Sequence, residues 1–213
     1  MYLISKAALK ALKKSSRTLL FLFVLVFTTH VALYAQYEKK SFNASRTSEK
    51  MKIDAKMDEA IWQEAEVLGD FVQIRPNPGE LSERQTEVRM VYDDQAVYII
   101  AKIYEKKEDI FNLLTNRDNI GSSDYFGVSL DPFKAGLNGV GLFVTVAGVQ
   151  YDTRYSGGGN ERIWRNDEDW NAVWLSETKI NEDHWIVEYK IPYAVLRFNG
   201  SDVQNWGINF MRK

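Results

Sequence analysis

Cysteine is missing from this sequence, and histidine occurs only twice in 213 residues. Because a disulfide bond and a thiolate metal site both require cysteine, this chain can form neither. His184 is the only histidine after residue 35, and its place beside Asp183 in a polar turn indicates a surface position. A haem or zinc site needs a further strong ligand, which no spacing in the sequence supplies, so we expect no haem.

The sequence also lacks the short motifs of common enzymes. There is no HExxH, no GxSxG and no Walker sequence, and the glycine-rich stretch 156–159 is not followed by Lys-Ser or Lys-Thr. Acidic pairs such as Asp93 with Asp94 could serve a glycosidase, although each pair also suits a solvated turn. A non-catalytic role is therefore favoured, and a glycoside hydrolase is the least favoured alternative.

The first 35 residues have the three parts of a secretory signal peptide. Five basic residues and no acidic one occur in residues 1–17, and residues 19–27 are an unbroken apolar run. Ala32 and Ala35 then offer small side chains for cleavage before Gln36. The run is shorter than the roughly 20 residues of a membrane-spanning helix, and an uncleaved anchor is the alternative. We expect the chain to be exported to the periplasm, the outer membrane or the exterior.

The chain after the leader is acidic and has the length of one domain. The leader holds five of the 27 basic residues, so residues 36–213 carry 22 basic against 29 acidic residues, a net charge of −7. Nucleic-acid binding depends on basic residues that neutralise phosphates, so this balance argues against such a partner. No second long apolar run follows the leader, which argues against a membrane-spanning helix in the mature region.

The pattern of residues 51–213 predicts an all-β fold. Residues 36–50 are polar and aperiodic, which is typical of a linker, and residues 57–65 predict a short helical turn capped by Asp58, with Trp62 inward. Alternating apolar residues then indicate many short strands, which favours a two-sheet antiparallel, jelly-roll-like β-sandwich. The predicted strands cover residues 86–92, 96–104, 126–131, 142–146, 151–155, 173–180, 185–191 and 206–210.

Aromatic residues next to polar ones are the strongest candidates for a binding site. Trp62, Trp185 and Trp206 have core-like positions, whereas the other three tryptophans cluster around a polar segment beside the glycine-rich loop. An indole face can stack on a sugar ring while nearby polar groups hydrogen-bond its hydroxyls. The candidate carbohydrate-binding residues are Trp164, Trp170, Trp174, Arg117, Arg154 and Asn171. Trp174 is equally compatible with a core position at a strand end.

Aspartates supply a weaker indication of a structural calcium ion. Ca²⁺ binds carboxylate and carbonyl oxygens, and Asp131 and Asp152 lie at or within predicted strands that could present such oxygens. The spacing does not match an EF-hand loop, so these two aspartates are candidates by residue type alone.

The order of motifs along the chain resembles carbohydrate-binding module family nine. The stretch MKIDAKMDEAIW at residues 51–62 is similar to the family's opening I-D-G-x-L-D-E-x-x-W, with Ala55 in place of the usual glycine. TEVRMVYDD at 86–94, followed by AVY at 96–98, is similar to the family's first hairpin, and SDYFGVSLD at 123–131 is similar to its following strand. Four later motifs fit a more particular branch, the N-terminal family-nine-like domain of large secreted proteins of Gram-negative bacteria. They are GVQYD at 148–152, WNAVW at 170–174, IPYAVLRF at 191–198 and WGINF at 206–210.

This resemblance implies a fold, a class of ligand and a larger parent protein. It implies a jelly-roll-like sandwich related to DOMON domains, sugar binding between tryptophans, structural calcium and a role in polysaccharide breakdown. It also implies that the chain is a fragment that lacks a C-terminal β-rich domain. The alternative is a structural sandwich that packs on that domain or on an outer-membrane partner through its aromatic cluster, without a sugar ligand.

Overall fold

The computed structural model describes residues 39–157, 165–167 and 169–213, and residues 42–213 form one compact unit. The predicted signal peptide and Trp164 lie outside the described residues. Two five-stranded sheets make up the unit, which confirms the predicted all-β sandwich. In the described part of the chain, no helix is long and apolar enough to cross a membrane.

The first sheet has the strand order β1-β2-β3-β9-β8. Its strands are β1 (Ser45–Arg46), β2 (Thr86–Tyr92), β3 (Ala96–Tyr104), β8 (Leu175–Ile180) and β9 (His184–Pro192). The predicted hairpins β2–β3 and β8–β9 both form, with Ile100 opposite Arg89 and Glu188 opposite Glu177. Residues 45 and 46, which the sequence assigned to a linker, instead pair in parallel with β2.

The second sheet has the order β10-β4-β5-β6-β7, and all of its neighbouring strands are antiparallel. Its strands are β4 (Tyr125–Asp131), β5 (Asn138–Thr145), β6 (Gln150–Ser156), β7 (Arg165–Asp167) and β10 (Gly207–Arg212). The sequence placed the start of β5 four residues late, because Gly139 and Gly141 interrupt the apolar alternation there.

The main core lies between the inner faces of the two sheets. Phe126, Val128 and Leu142 of the second sheet belong to the same buried cluster as Val187 and Tyr189 of the first. The Tyr189 hydroxyl donates a hydrogen bond of 2.8 Å to the Phe126 carbonyl, so a polar contact also joins the sheets. Burial of alternate strand residues on both inner faces is the dominant stabilising term in such a sandwich.

The outer face of the first sheet is also buried, because residues 51–65 lie across it. This opening segment contains α1 (Ala60–Glu64), whose Trp62 is fully buried against Tyr98, Ile100 and Ile186. The helix begins after Glu59, with no side-chain capping bond, so the predicted cap at Asp58 is wrong. Because the opening segment covers this face, β3 is apolar on both of its faces, as its sequence shows.

Candidate functional site

Asp152, on β6 of the second sheet, joins three separate parts of the chain. Its side chain is fully buried and accepts hydrogen bonds from Arg117 Nη2, from the Ala172 amide at 2.6 Å and from Trp174 Nε1 at 3.4 Å. Buried carboxylates are costly unless they are paired and hydrogen-bonded, and Asp152 satisfies both conditions. The carboxylate therefore holds the segment before β8 against β6.

The Arg117 guanidinium donates hydrogen bonds within the same network. Besides Asp152, its guanidinium donates to Gln150 Oε1 and, at 3.2 Å, to the Ala172 carbonyl. The side chain remains 41% exposed, so it lies at the rim rather than within the core. Arg117 is thus placed by internal contacts, and only part of the guanidinium faces solvent.

Trp170 is half-buried and carries a cation on its ring. The Arg154 guanidinium carbon lies over the ring, 4.9 Å from its centroid, and the indole also packs against the main core. An arginine over an indole face is an attractive cation–π arrangement. The ring face that a sugar would stack on is therefore covered by Arg154 in this structure. Asn171 next to it is exposed, and its side-chain amide donates to the Asp169 carbonyl at 3.2 Å.

The structure brings most of the candidate sugar-binding residues to one region but assigns them different surroundings. Trp174 is only 4% exposed and stacks on Tyr189 with ring centroids 5.5 Å apart and an interplanar angle of 3°. It belongs to the core and offers no ring face to a ligand, which corrects its inclusion among the sugar-binding candidates. Arg117, Arg154, Trp170 and Asn171 are the candidates that reach the surface.

The two calcium candidates do not share a site. Asp131 ends β4, and its carboxylate accepts the amides of Phe133 at 3.1 Å and Gly136 at 2.7 Å, which orders the turn into β5. Asp152 pairs with Leu142, which pairs with Val128, so the two aspartates are separated by two strands and three residues. That offset is about 10 Å in each direction, whereas calcium–oxygen distances are about 2.4 Å. Among the described residues, no group of three or more His, Cys, Asp or Glu side chains could hold a metal.

A different surface, the outer face of the second sheet, contains a row of glycines opposite polar and aromatic residues. The register places Asn209 of β10 beside Ser129 of β4, and Ser129 beside Gly141 of β5. In the same way, Met211 lies beside Gly127, which pairs with Phe143. Glycines on neighbouring strands leave the backbone bare, so large neighbouring side chains can fold down over it.

Two aromatic rings occupy the space that these glycines leave. A Cβ added to Gly141 would lie 2.7 Å from Cζ of Tyr155, and one added to Gly127 would lie 2.5 Å from Cε1 of Phe143. Burial raises the pKa of Tyr155, whose hydroxyl has Ser129 as a hydrogen-bond partner. Phe143 continues into an edge-to-face series, with Tyr125 at 5.8 Å and Tyr151 at 5.6 Å between centroids.

Beside these rings the outer face forms a cleft of about 480 Å³. We call it the glycine cleft; its lining includes Ser129, Asn138, Gly139, Tyr155, Asn209 and Met211. Its polar side chains offer both hydrogen-bond donors and acceptors, and three of its lining residues are glycines. The sequence alone does not reveal this site, because its lining comes from four strands and only the strand register aligns the glycines. The Asn-Gly step at residues 138–139 and the glycines at 127, 141 and 207 were the available signals.

The fold is that of a known class of carbohydrate-binding β-sandwiches. A family-nine carbohydrate-binding module from Caldicellulosiruptor kristjanssonii, solved with glucose and with cellotriose, is 17% identical, with a TM-score of 0.53. In its glucose complex the match covers 78% of this chain and 74% of that one. A protein from Bacteroides uniformis ATCC 8492 with an inferred carbohydrate-binding role is 12% identical over 81% of this chain and 83% of its own, with a TM-score of 0.60. No protein-family model and no curated protein sequence matches the chain. The fold is accordingly family-nine-like, as the motif order indicated.

Proposed function

We propose that this chain is a non-catalytic carbohydrate-binding module and that its ligand occupies the glycine cleft. The observation that carries the proposal is the lining of the cleft, which combines three glycines with the polar side chains of Ser129, Asn138 and Asn209. Small-ligand sites are concave, with apolar contact area and a few placed polar groups. The likeness in fold to modules solved with glucose and cellotriose agrees with this class of ligand.

The chemistry of the lining suits a sugar ring. Ser129 and Asn209 sit side by side on neighbouring strands, so their hydroxyl and amide groups can bind adjacent sugar hydroxyls. Tyr155 and Met211 provide apolar surface for the C–H groups of the ring. Glycines at residues 139 and 207 add no side chain to the lining of the cleft.

The Arg154–Trp170 pair is a second location for the same activity. The indole becomes a stacking surface if the guanidinium moves from its face, and Trp164, outside the described residues, precedes it closely in the chain. Asn171 and Arg117 would then orient hydroxyls from the same rim. We rank this location second because a ligand there must displace an existing cation–π contact.

The signal-peptide pattern supports a cellular setting for this function. We infer an exported module, in the periplasm, at the outer membrane or outside the cell, that takes part in polysaccharide breakdown within a larger protein. A structural calcium ion at Asp131 is part of this proposal, since that carboxylate lies at the rim of the cleft. The competing function is an interaction domain without a sugar ligand. Exposed apolar side chains favour it, notably Leu114, which is 77% exposed, and Val173, which is 86% exposed.

The test is a glycan-array screen of the chain without its leader, with and without Ca²⁺, followed by calorimetry on any hit. Asn209→Ala in the glycine cleft and Asn171→Ala beside Trp170 form a matched pair, because both remove an exposed asparagine amide. Loss of about tenfold or more in affinity for Asn209→Ala alone supports the cleft, since a lost hydrogen bond to a ligand is worth about 1.5 kcal/mol. Loss for Asn171→Ala and Trp170→Ala moves the site to the rim. No binding to any glycan refutes the function.

A further inference from the structure

Glu188 is a buried carboxyl group far from any ligand role assigned above. It lies on β9, on the outer face of the first sheet, and the opening segment covers it so completely that it has no exposed surface. Its Oε2 atom accepts the backbone amides of Asp54 and Ala55, each at 2.9 Å. The backbone turn that presents both amides requires a left-handed residue, Ala55, with φ of 53°.

The remaining carboxylate oxygens at this junction have no donor among the described protein groups. Glu188 Oε1, Asp54 Oδ1 and Glu59 Oε2 are all buried without a hydrogen-bond partner. Three acceptors in one buried region leave each oxygen with its desolvation cost uncompensated. A proton on one carboxyl converts an acceptor into a donor and removes a negative charge at the same time.

We infer that a proton held on Glu188 latches the opening segment onto the outer face of the first sheet. In the protonated state the segment docks against a neutral side chain, and the two backbone amides still bind Oε2. In the ionised state a negative charge is buried beside two further carboxylates, Asp54 and Glu59, and docking weakens. The inference is independent of the sugar site, which lies on the other sheet.

The charges around Glu188 agree in direction with this behaviour. Burial, together with the negative charges of Glu59 and Asp54, raises the pKa of Glu188 from its ordinary value of 4.5 to about 7. Its cross-strand neighbour on β8 is another acid, the exposed Glu177, and its neighbour on β3 is the neutral Ile100.

Cations near the junction have other partners. Lys52 and Lys56 both bind Asp54 Oδ2, at 2.6 and 3.0 Å, and Arg89, two strands away on β2, binds Glu87 at 3.3 Å. On the same face of the sheet, Lys190 lies over the Tyr98 ring at 5.6 Å and Lys102 over the Tyr104 ring at 4.6 Å. None of the contacts described for these cations reaches Glu188.

The sign of the pH effect follows from linkage. A group whose pKa is raised in the folded state stabilises that state fully below its unfolded pKa and loses this contribution as pH rises through the folded pKa. The latch should therefore hold fully below about pH 4.5 and be released by just above about pH 7.

The test compares the natural chain with Glu188→Gln, which has the shape and neutrality of the protonated acid, and with Glu177→Gln as the matched control. Between about pH 5 and about pH 8, the unfolding equilibrium constant of the natural chain should rise roughly 70-fold more than that of Glu188→Gln. Glu177→Gln should behave like the natural chain, because its side chain is exposed.

A local readout separates the latch from a general loss of stability. Hydrogen exchange of the peptide that covers residues 51–65 is compared between the natural chain and Glu188→Gln at each pH, so that intrinsic exchange chemistry cancels. Relative to Glu188→Gln, the natural chain should exchange faster at this peptide as pH rises from about 4.5 to about 7 and should level off above that. The peptide should also exchange sooner than β4 and β5 peptides, as local opening requires. An equal pH response of the two proteins overturns the inference. So does a stabilisation by Ca²⁺ above about pH 7 that Glu188→Gln abolishes, because the junction would then bind a metal ion rather than a proton.

Discussion

Replacing Gly141 by alanine should displace the Tyr155 ring. The displacement should lower the stability of the sandwich slightly and change the shape of the glycine cleft. The new methyl carbon would lie 2.7 Å from Cζ of Tyr155, well inside carbon–carbon contact distance. Because the obstructing atoms are the far end of a side chain rather than backbone, the ring can swing away and the chain can still fold. The move costs Tyr155 its burial and its contact with Ser129.

The expected magnitude is that of mild overpacking. Inserting a methyl group into a packed site costs about 1–3 kcal/mol, and we expect the lower half of that range because the ring can relocate. Urea unfolding followed by tryptophan fluorescence gives the stability change, with Gly200→Ala as control, since nothing lies within 4 Å of a Cβ there. Loss of burial should also lower the pKa of Tyr155 towards its ordinary value, which absorbance titration detects as a difference from the natural chain.

Binding provides the second half of the test. Any glycan bound in the cleft should lose about tenfold or more in affinity, because Tyr155 forms one wall of the site. If Gly141→Ala matches Gly200→Ala in stability and leaves affinity unchanged, Tyr155 does not lie over Gly141 and the account of the cleft is refuted. A loss of affinity with no loss of stability would instead mean that Tyr155 shapes the cleft but that its packing over Gly141 adds nothing to the stability of the sandwich.

Two further substitutions test the packing on either side of the sandwich. Asp152→Asn should lower the unfolding free energy by about 2 kcal/mol, because an amide donor replaces an acceptor that faces Arg117 and the Ala172 amide. The loss should be smaller than for a fully buried ion pair, since Arg117 is partly exposed. An unfolding curve equal to that of the natural chain would show that the network adds nothing. Trp62→Ala should cost about 3–5 kcal/mol, since the side chain is fully buried under the opening segment. A calorimetric melting temperature within error of that of the natural chain would contradict the burial of Trp62 under the opening segment.

Local patterns in the sequence were sufficient to predict the long alternating strands and the hairpins that join them. Val187 and Tyr189 of β9 alternate with neighbours that point the other way, and the hairpins follow because short polar turns join adjacent strands. The same reasoning failed for residues 45 and 46. Two residues cannot show periodicity, and their pairing with β2 depends on a partner more than forty positions away.

The candidate site was only partly predictable for a related reason. Residue type drew attention to Trp170, Trp174 and Asp152, and the structure does place them in one region. Residue type could not distinguish an indole that stacks on Tyr189 inside the core from one that reaches the rim, since that depends on the opposite sheet. The glycine cleft was invisible for the same reason, because its lining residues are neighbours across strands and not along the chain.

By itself, the sequence determined the class of fold, the alternation of each long strand, the absence of disulfide chemistry and the resemblance to a carbohydrate-binding family. These properties depend on local backbone preference and on composition, which every stretch of chain carries with it. Only the tertiary structure decided that Glu188 Oε1 is buried without a donor, that Asp152 is an internal anchor and that Tyr155 fills the space over Gly141. Burial, pairing and free volume are properties of surfaces brought together by folding, so they emerge when both sheets and their cover are in place.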